Sequence, residues 1–140
     1  MELPSPQVAA FVQRQRLAHL ATANREGRPH VVPVCFVFID GLFYTPVDEK
    51  PKRTDRLRRL RNIEENPSVA LVFDHYEEDW QRLGYVLVRG RATVLHGSDR
   101  PEVLAALRQK YAQYTSMALE KRPLIAITPE RLASWGKLEG

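Results

Sequence analysis

Cysteine occurs once in the 140 residues, at Cys35, so neither an intramolecular disulfide nor a multi-cysteine metal centre can form. The four histidines, His19, His30, His75 and His96, never pair at metal-ligand spacing, which argues against a structural zinc. Apolar runs are short. The longest, Val31 to Ile39, contains Pro33 and falls far below the roughly 20 residues of a spanning helix. Met1 to Gln15 lacks the continuous apolar core of an export signal, so the expectation is a cytoplasmic protein with no membrane partner. Motifs for nucleophilic or phosphate chemistry are missing too: there is no Gly-x-Ser-x-Gly elbow, Gly-rich phosphate loop or His-Glu-x-x-His pair.

What is present is ordinary globular material, 44% hydrophobic and 27% charged, of a length that suits one domain over residues 1–140. The positive charge is local. Lys50, Lys52, Arg53, Arg56, Arg58, Arg59 and Arg61 face the single acid Asp55, making that segment +6. The whole chain carries +4, so everything else sums to −2. A concentrated positive site on a near-neutral body points to a compact anionic ligand more than to a polyanion surface, and no nucleic-acid partner is expected.

Ser5-Pro6 has the form of an N-cap followed by proline, and Val8, Phe11 and Val12 give a helical stripe to about Gln15. Leu17 to Ala23 and the Val-, Ile- and Phe-rich run His30 to Ile39 are predicted strands, separated by the turn residues Asn24 to Gly27. Asp40-Gly41 joins the second run to Leu42-Phe43-Tyr44-Thr45, a two-residue hairpin signal. Leu57, Leu60 and Ile63 recur at helical spacing after Thr54 or Asp55, and Asn66-Pro67 ends that helix. Ser68 to His75 and Tyr85 to Leu95 are further strands around the acidic loop Glu77-Glu78-Asp79. A helix over Pro101 to Tyr114 precedes short strands at Leu124 to Ile127 and Leu132 to Trp135. Hairpin-linked strands with short flanking helices predict a mainly β (β plus α) fold, a six-stranded antiparallel barrel.

Among candidate functional groups, Cys35 reads as a buried inert thiol inside a strand. His30 reads as a surface or hydrogen-bonding residue, and His75 to Trp80 as a solvated hairpin tip. The basic segment carries more. Arg56 and Arg59 share a helix flank, while Lys50 and Lys52 precede the helix start, where free backbone N–H groups and the dipole favour an anion. Arginine offers bidentate donors and lysine a point charge, a combination suited to phosphate. The competing reading is a solvated helix face.

Gly27-x-Pro29, the apolar strand, Phe43-Tyr44-Thr45, the basic segment and Asn62-Ile63-x-x-Asn66-Pro67-x-Val69-x-Leu71 follow in an order that resembles the flavin-binding split-barrel superfamily of pyridoxamine 5′-phosphate oxidase. Asp74-His75-Tyr76-x-x-Asp79-Trp80, with Lys50-Pro51-Lys52 and Arg59-Leu60-x-Asn62, is similar to its branch of F420-dependent (deazaflavin) enzymes. The resemblance implies a split barrel and a homodimer with cofactor at the subunit interface. It implies cofactor contacts at Tyr44 and Thr45, and at phosphate-holding cations that match Lys50 by one count and Arg58-Arg59 by another. Where the family has Gln in the next strand, this chain places Tyr85.

Two family features are absent. The oxidase's Arg and Lys in the strand matching Val32 to Val37 are replaced by apolar residues, and its C-terminal Arg-x-His is replaced by Ser134-Trp135-Gly136-Lys137. Pyridoxamine phosphate is therefore not the expected substrate. Val32, Pro33 and Val34 instead offer a flat apolar wall to a ring system. The expected cofactor contacts are Val32, Pro33, Val34, Tyr44, Thr45, Lys50, Lys52, Arg58, Arg59, Asn62 and Tyr85, with no catalytic residue and no metal ligand singled out. The expected function is hydride transfer between F420 (FMN as the alternative) and a small organic substrate, the cofactor supplying the chemistry. A non-catalytic binding or carrier protein for the same cofactor is the competing class.

Overall fold

The computed structural model describes residues 5–48 and 54–138, with backbone alone for 54–57. Its elements are α1 (Pro6–Arg14), β1 (Ala18–Ala23), β2 (Pro29–Val34), β3 (Val37–Ile39), β4 (Leu42–Pro46), α2 (Thr54–Glu65), β5 (Ser68–His75), β6 (Gly84–His96), α3 (Pro101–Lys110) and β7 (Pro123–Gly136). Local chemistry accounts for their ends. The Ser5 hydroxyl accepts the Val8 N–H at 3.1 Å and caps α1. Asp40 and Gly41 both take positive φ, 51° and 84°, as a tight two-residue hairpin requires. The Asn24 side chain accepts the N–H groups of Glu26 and Arg28 and holds the β1–β2 turn.

Seven strands form one antiparallel sheet in the order β2-β1-β5-β6-β7-β4-β3. The two edge strands, β2 and β3, are consecutive in the chain and separated only by Cys35 and Phe36. So short a connection cannot bridge the edges of a flat seven-stranded sheet, so the sheet must curl until its edges meet. That makes a barrel with a split between β2 and β3.

The mainly β class stands, with differences of detail. The run His30 to Ile39 is two strands rather than one, because the chain leaves the sheet at Cys35-Phe36 and rejoins it at the opposite edge. The sheet has seven strands where a six-stranded barrel was expected, and Cys35 is half-buried at the break rather than inside a strand. The two short C-terminal strands are one continuous β7, which absorbs an irregularity opposite Arg89 and Gly90. The third helix also stops at Lys110 rather than Tyr114. The Tyr111 hydroxyl reaches the carbonyls of Arg16 and Phe36 at 3.0 and 3.1 Å and accepts the Phe36 N–H, drawing the chain out of the helix.

The barrel interior holds Phe36, Phe43 and Phe73 among Leu20, Leu71, Ile125 and Ile127, with Phe36 and Phe73 edge to face at 4.9 Å. A second core lies between β4 and α3, built on Tyr44, Leu104, Leu107, Tyr111 and Tyr114. Strand β4 separates the two: alternation sends Phe43 into the barrel and Tyr44 toward α3.

Candidate functional site

A small cavity of ≈ 130 Å³ opens beside the strand break, lined by Leu17, Pro33, Val34, Cys35, Pro46, Asp48 and Arg59. The end of β2 supplies Pro33 and Val34, the end of β4 supplies Pro46, and α2 supplies Arg59. Arg59 is only 4% exposed, which is unusual for a guanidinium. One helical turn further on, the Asn62 amide donates to the Thr22 hydroxyl at 3.0 Å, and both residues are buried. That bond pins α2 to β1 and so sets the depth of Arg59.

Beside the cavity, the Asp48 carboxylate accepts the Tyr114 hydroxyl, and its carbonyl accepts from Arg122. Burial first, then the bond to Asp48, pushes the Tyr114 hydroxyl well above the ordinary tyrosine value, so it stays a donor to that carboxylate. Behind Cys35, the Lys110 ammonium lies 3.1 Å from the Phe36 carbonyl and 3.7 Å from the centre of the Phe36 ring. Burial and, secondarily, the charge of Arg16 lower its pKa to about 8.

Of the residues expected at a cofactor, Pro33, Val34 and Arg59 come together around this cavity. Val32 is half-buried and packs on the barrel core. Tyr44 and Thr45 are both buried but point to opposite faces of β4, so their side chains cannot line one surface. The Thr45 Oγ1, fully buried, has no hydrogen-bond partner among the described residues. Asn62 faces the interior, and Arg58 is exposed on α2. Lys50 and Lys52 lie outside the described residues.

Tyr85 is separate from this cluster. It lies on the outer face of β6, stacked on Trp135 with ring centres 6.0 Å apart. Pro33 shares that outer face three strands over, in the row that meets β6 at Leu87 rather than at Tyr85. Two rows cross the face in register: Pro33, His19, Val72, Leu87 and Ala133, then Val31, Ala21, Ala70, Arg89 and Arg131. Ala21, Ala70, Arg89 and Arg131 of the second row line a groove of ≈ 610 Å³, which shares no lining residue with the Arg59 cavity.

The sequence reading missed Thr22, Asp48 and Tyr114. Thr22 and Tyr114 carry no local motif, and only the register of β1 against α2 and the loop after β4 bring them in. His30 is half-buried, with its Nδ1 buried and unbonded among the described residues, not at the surface.

The family profile described as pyridoxamine 5′-phosphate oxidase matches residues 4–136. The chain belongs to that family. Its members' barrel accounts for the edge-to-edge topology above. No curated protein matches the sequence. Among solved structures, the heme storage protein HutZ of Vibrio cholerae is similar at 20% identity and a TM-score of 0.69, over 98% of this chain and 96% of that one. A FAD-binding protein of Mesorhizobium loti shares 22% identity with a TM-score of 0.69, covering 94% of each chain. An F420 reductase shares 20% identity with a TM-score of 0.66, over 94% of this chain and 98% of that one. These likenesses show the fold. No helix among the described residues is long and apolar enough to cross a membrane.

Proposed function

We propose that this family member binds a flavin-type cofactor, F420 in preference to FMN, between two copies of the chain and exchanges hydride with a small organic substrate. The observation that carries the reading is the buried Arg59 guanidinium in a cavity walled by Pro33 and Val34. The residues fit the group. A buried guanidinium suits a phosphate oxygen pair, and Pro33 and Val34 give the same cavity an apolar wall. Asp48 offsets one positive charge, so phosphate binding draws on further cations of the same segment, Lys50, Lys52 and Arg58 among them.

When bound, such a cofactor supplies the hydride chemistry itself. The chain's part is to hold phosphate with Arg59, to offer the ring system the apolar edge of β2, and to exclude water. At ≈ 130 Å³ the cavity admits a phosphate but not a whole cofactor, since pockets for whole ligands span roughly 300–1,000 Å³. The remainder of the cofactor lies against the open outer face, where Val31 is 59% exposed and a second copy would cover it. Sedimentation is expected to show a dimer.

The likeness to an F420 reductase and a FAD-binding protein supports the flavin-type reading, and that to a heme storage protein offers a rival ligand. Among the described residues no histidine lines the Arg59 cavity, which favours the flavin type. A cofactor carrier is the second reading, favoured by the one carboxylate that lines the cavity among the described residues being engaged by Tyr114. Reduced F420 offered with a panel of organic electron acceptors separates the two: turnover supports the enzyme, and tight binding with no turnover supports the carrier.

A further inference from the structure

We propose that Asp48 biases the Arg59 cavity toward a singly charged phosphodiester and against a doubly charged phosphate monoester. The proposal rests on the flavin-type reading above and deepens it. It names a residue that would tell F420, whose phosphate is a diester, from FMN, whose phosphate is a monoester.

A carboxylate is out of place in a site for an anion, yet Asp48 and Arg59 line the same ≈ 130 Å³ cavity. A sphere of that volume is about 6 Å across, less than the Debye length of about 8 Å at physiological ionic strength, so salt screens little of what Asp48 exerts there. A phosphate monoester, with a second pKa near 6, carries about two negative charges at neutral pH, and a diester carries one. Alone, the Arg59 charge would favour the monoester, because attraction scales with the charge of the ligand. The Asp48 carboxylate takes that advantage away.

The carboxylate is held in place. Tyr114, 3% exposed, donates its hydroxyl to Asp48 Oδ2, and Arg122 donates to the Asp48 carbonyl, so side chain and backbone are each fixed by a separate residue. The Val47 N–H donates to the Pro123 carbonyl at 3.0 Å and ties the preceding residue to the start of β7. Tyr114 is anchored in turn. Arg108 donates to the Tyr114 carbonyl at 3.1 Å and the Met117 carbonyl at 2.8 Å, and grips both Glu120 carboxylate oxygens at 2.8 and 2.9 Å. The hydrogen bonds from Arg108 draw the Glu120 pKa down to about 2, so this clamp stays charged where a phosphate monoester titrates. A carboxylate so anchored does not swing clear of an incoming anion.

Among the described residues, the groups facing Asp48 are Arg59 from α2, Cys35 from the strand break, and Tyr114 and Arg122 from the chain between α3 and β7, with Lys110 behind Cys35. All of them, and the further cations of the basic segment, are common to the parental protein and Asp48→Asn. The bias due to Asp48 is therefore read as the difference between the two.

FMN and its methyl phosphodiester share one ring system and differ by one charge, so their affinity ratio isolates the phosphate. At pH 7.5, fluorescence titration of Asp48→Asn should show that ratio moved about tenfold toward FMN relative to the parental protein. At pH 5 FMN is singly charged as well, and the two proteins should give the same ratio; a mere loss of packing would act at both pH values alike. Asp48→Glu keeps the charge and should keep the parental ratio. F420 affinity should follow that of the methyl ester, and an unchanged Tm checks that each variant retains the fold. The proposal is overturned by an unmoved ratio in Asp48→Asn at pH 7.5, by a shift that persists at pH 5, or by Asp48→Glu behaving as Asp48→Asn. Each of these leaves the flavin-type reading standing. A parental protein that binds neither flavin nor F420 overturns that reading, and the proposal with it.

Discussion

The Asn62 amide donates to the Thr22 hydroxyl at 3.0 Å inside the barrel, and this bond fixes how deeply Arg59, one turn earlier on the same helix, enters the fold. Replacing Asn62 by Ala strands a buried hydroxyl. The expected cost is about 1–3 kcal/mol of unfolding free energy, measured by chemical denaturation. Asn62→Leu combined with Thr22→Val removes both polar partners and should be less destabilising than Asn62→Ala alone. A double variant at least as unstable as the single one would show that the bond does not organise this contact.

Arg59 and Lys52 are expected to hold cofactor phosphate together. Each charge-assisted contact is worth about 1.5–3 kcal/mol, so Arg59→Met with Lys52→Ala should weaken FMN and F420 by at least tenfold per contact. Fluorescence titration reads the loss, and circular dichroism checks the fold. Unchanged affinity would return the whole basic segment to a solvated helix face.

Much of this was legible beforehand, for identifiable reasons. Ser5, Asp40-Gly41 and Asn66-Pro67 mark their elements through local chemistry, and the structure has each boundary within a residue or two. The departures arise where distant contacts decide. Cys35-Phe36 interrupts a run of uniform β character because the sheet closes there, and Tyr111 leaves its helix to serve Phe36 and Arg16, 75 and 95 residues away in sequence. The same holds for the site. Arg59 and Pro33 were legible as residue types, but their meeting depends on a barrel closure that no local pattern encodes. The separation of Tyr44 from Thr45 follows from strand alternation once β4 is known to be buried on both faces.

Lys110 and Tyr111 give stability a pH signature. The Lys110 pKa is lowered to about 8 from 10.5, so between these values the unfolded chain binds the extra proton and stability rises with pH. The Tyr111 pKa is raised by burial to about 12 from 10.0, so above pH 10 the unfolded chain loses its proton first and stability falls. Denaturant midpoints from pH 7.5 to 11 should therefore climb and then decline. In Lys110→Met the climb should vanish while the decline persists; a climb of the same size in that variant would assign it elsewhere.

Salt separates the two flavin-type cofactors. F420 carries a polyanionic tail besides its phosphate, and seven cations in the segment exceed what one phosphate requires. Tail contacts are exposed and screened, so raising ionic strength from about 0.01 to 1 M, where the Debye length falls from about 30 to 3 Å, should erode F420 affinity more than FMN affinity. Parallel losses would remove the tail from the account and leave FMN as the cofactor.

The central claim is that the Arg59 cavity serves a flavin-type cofactor, and its most direct measurement is the absorbance spectrum of the purified protein after separate addition of F420, FMN and heme. The account predicts saturable binding of F420 with a perturbed band, weaker binding of FMN, and loss of both in Arg59→Met. Heme binding that survives Arg59→Met, with neither F420 nor FMN retained, would contradict it.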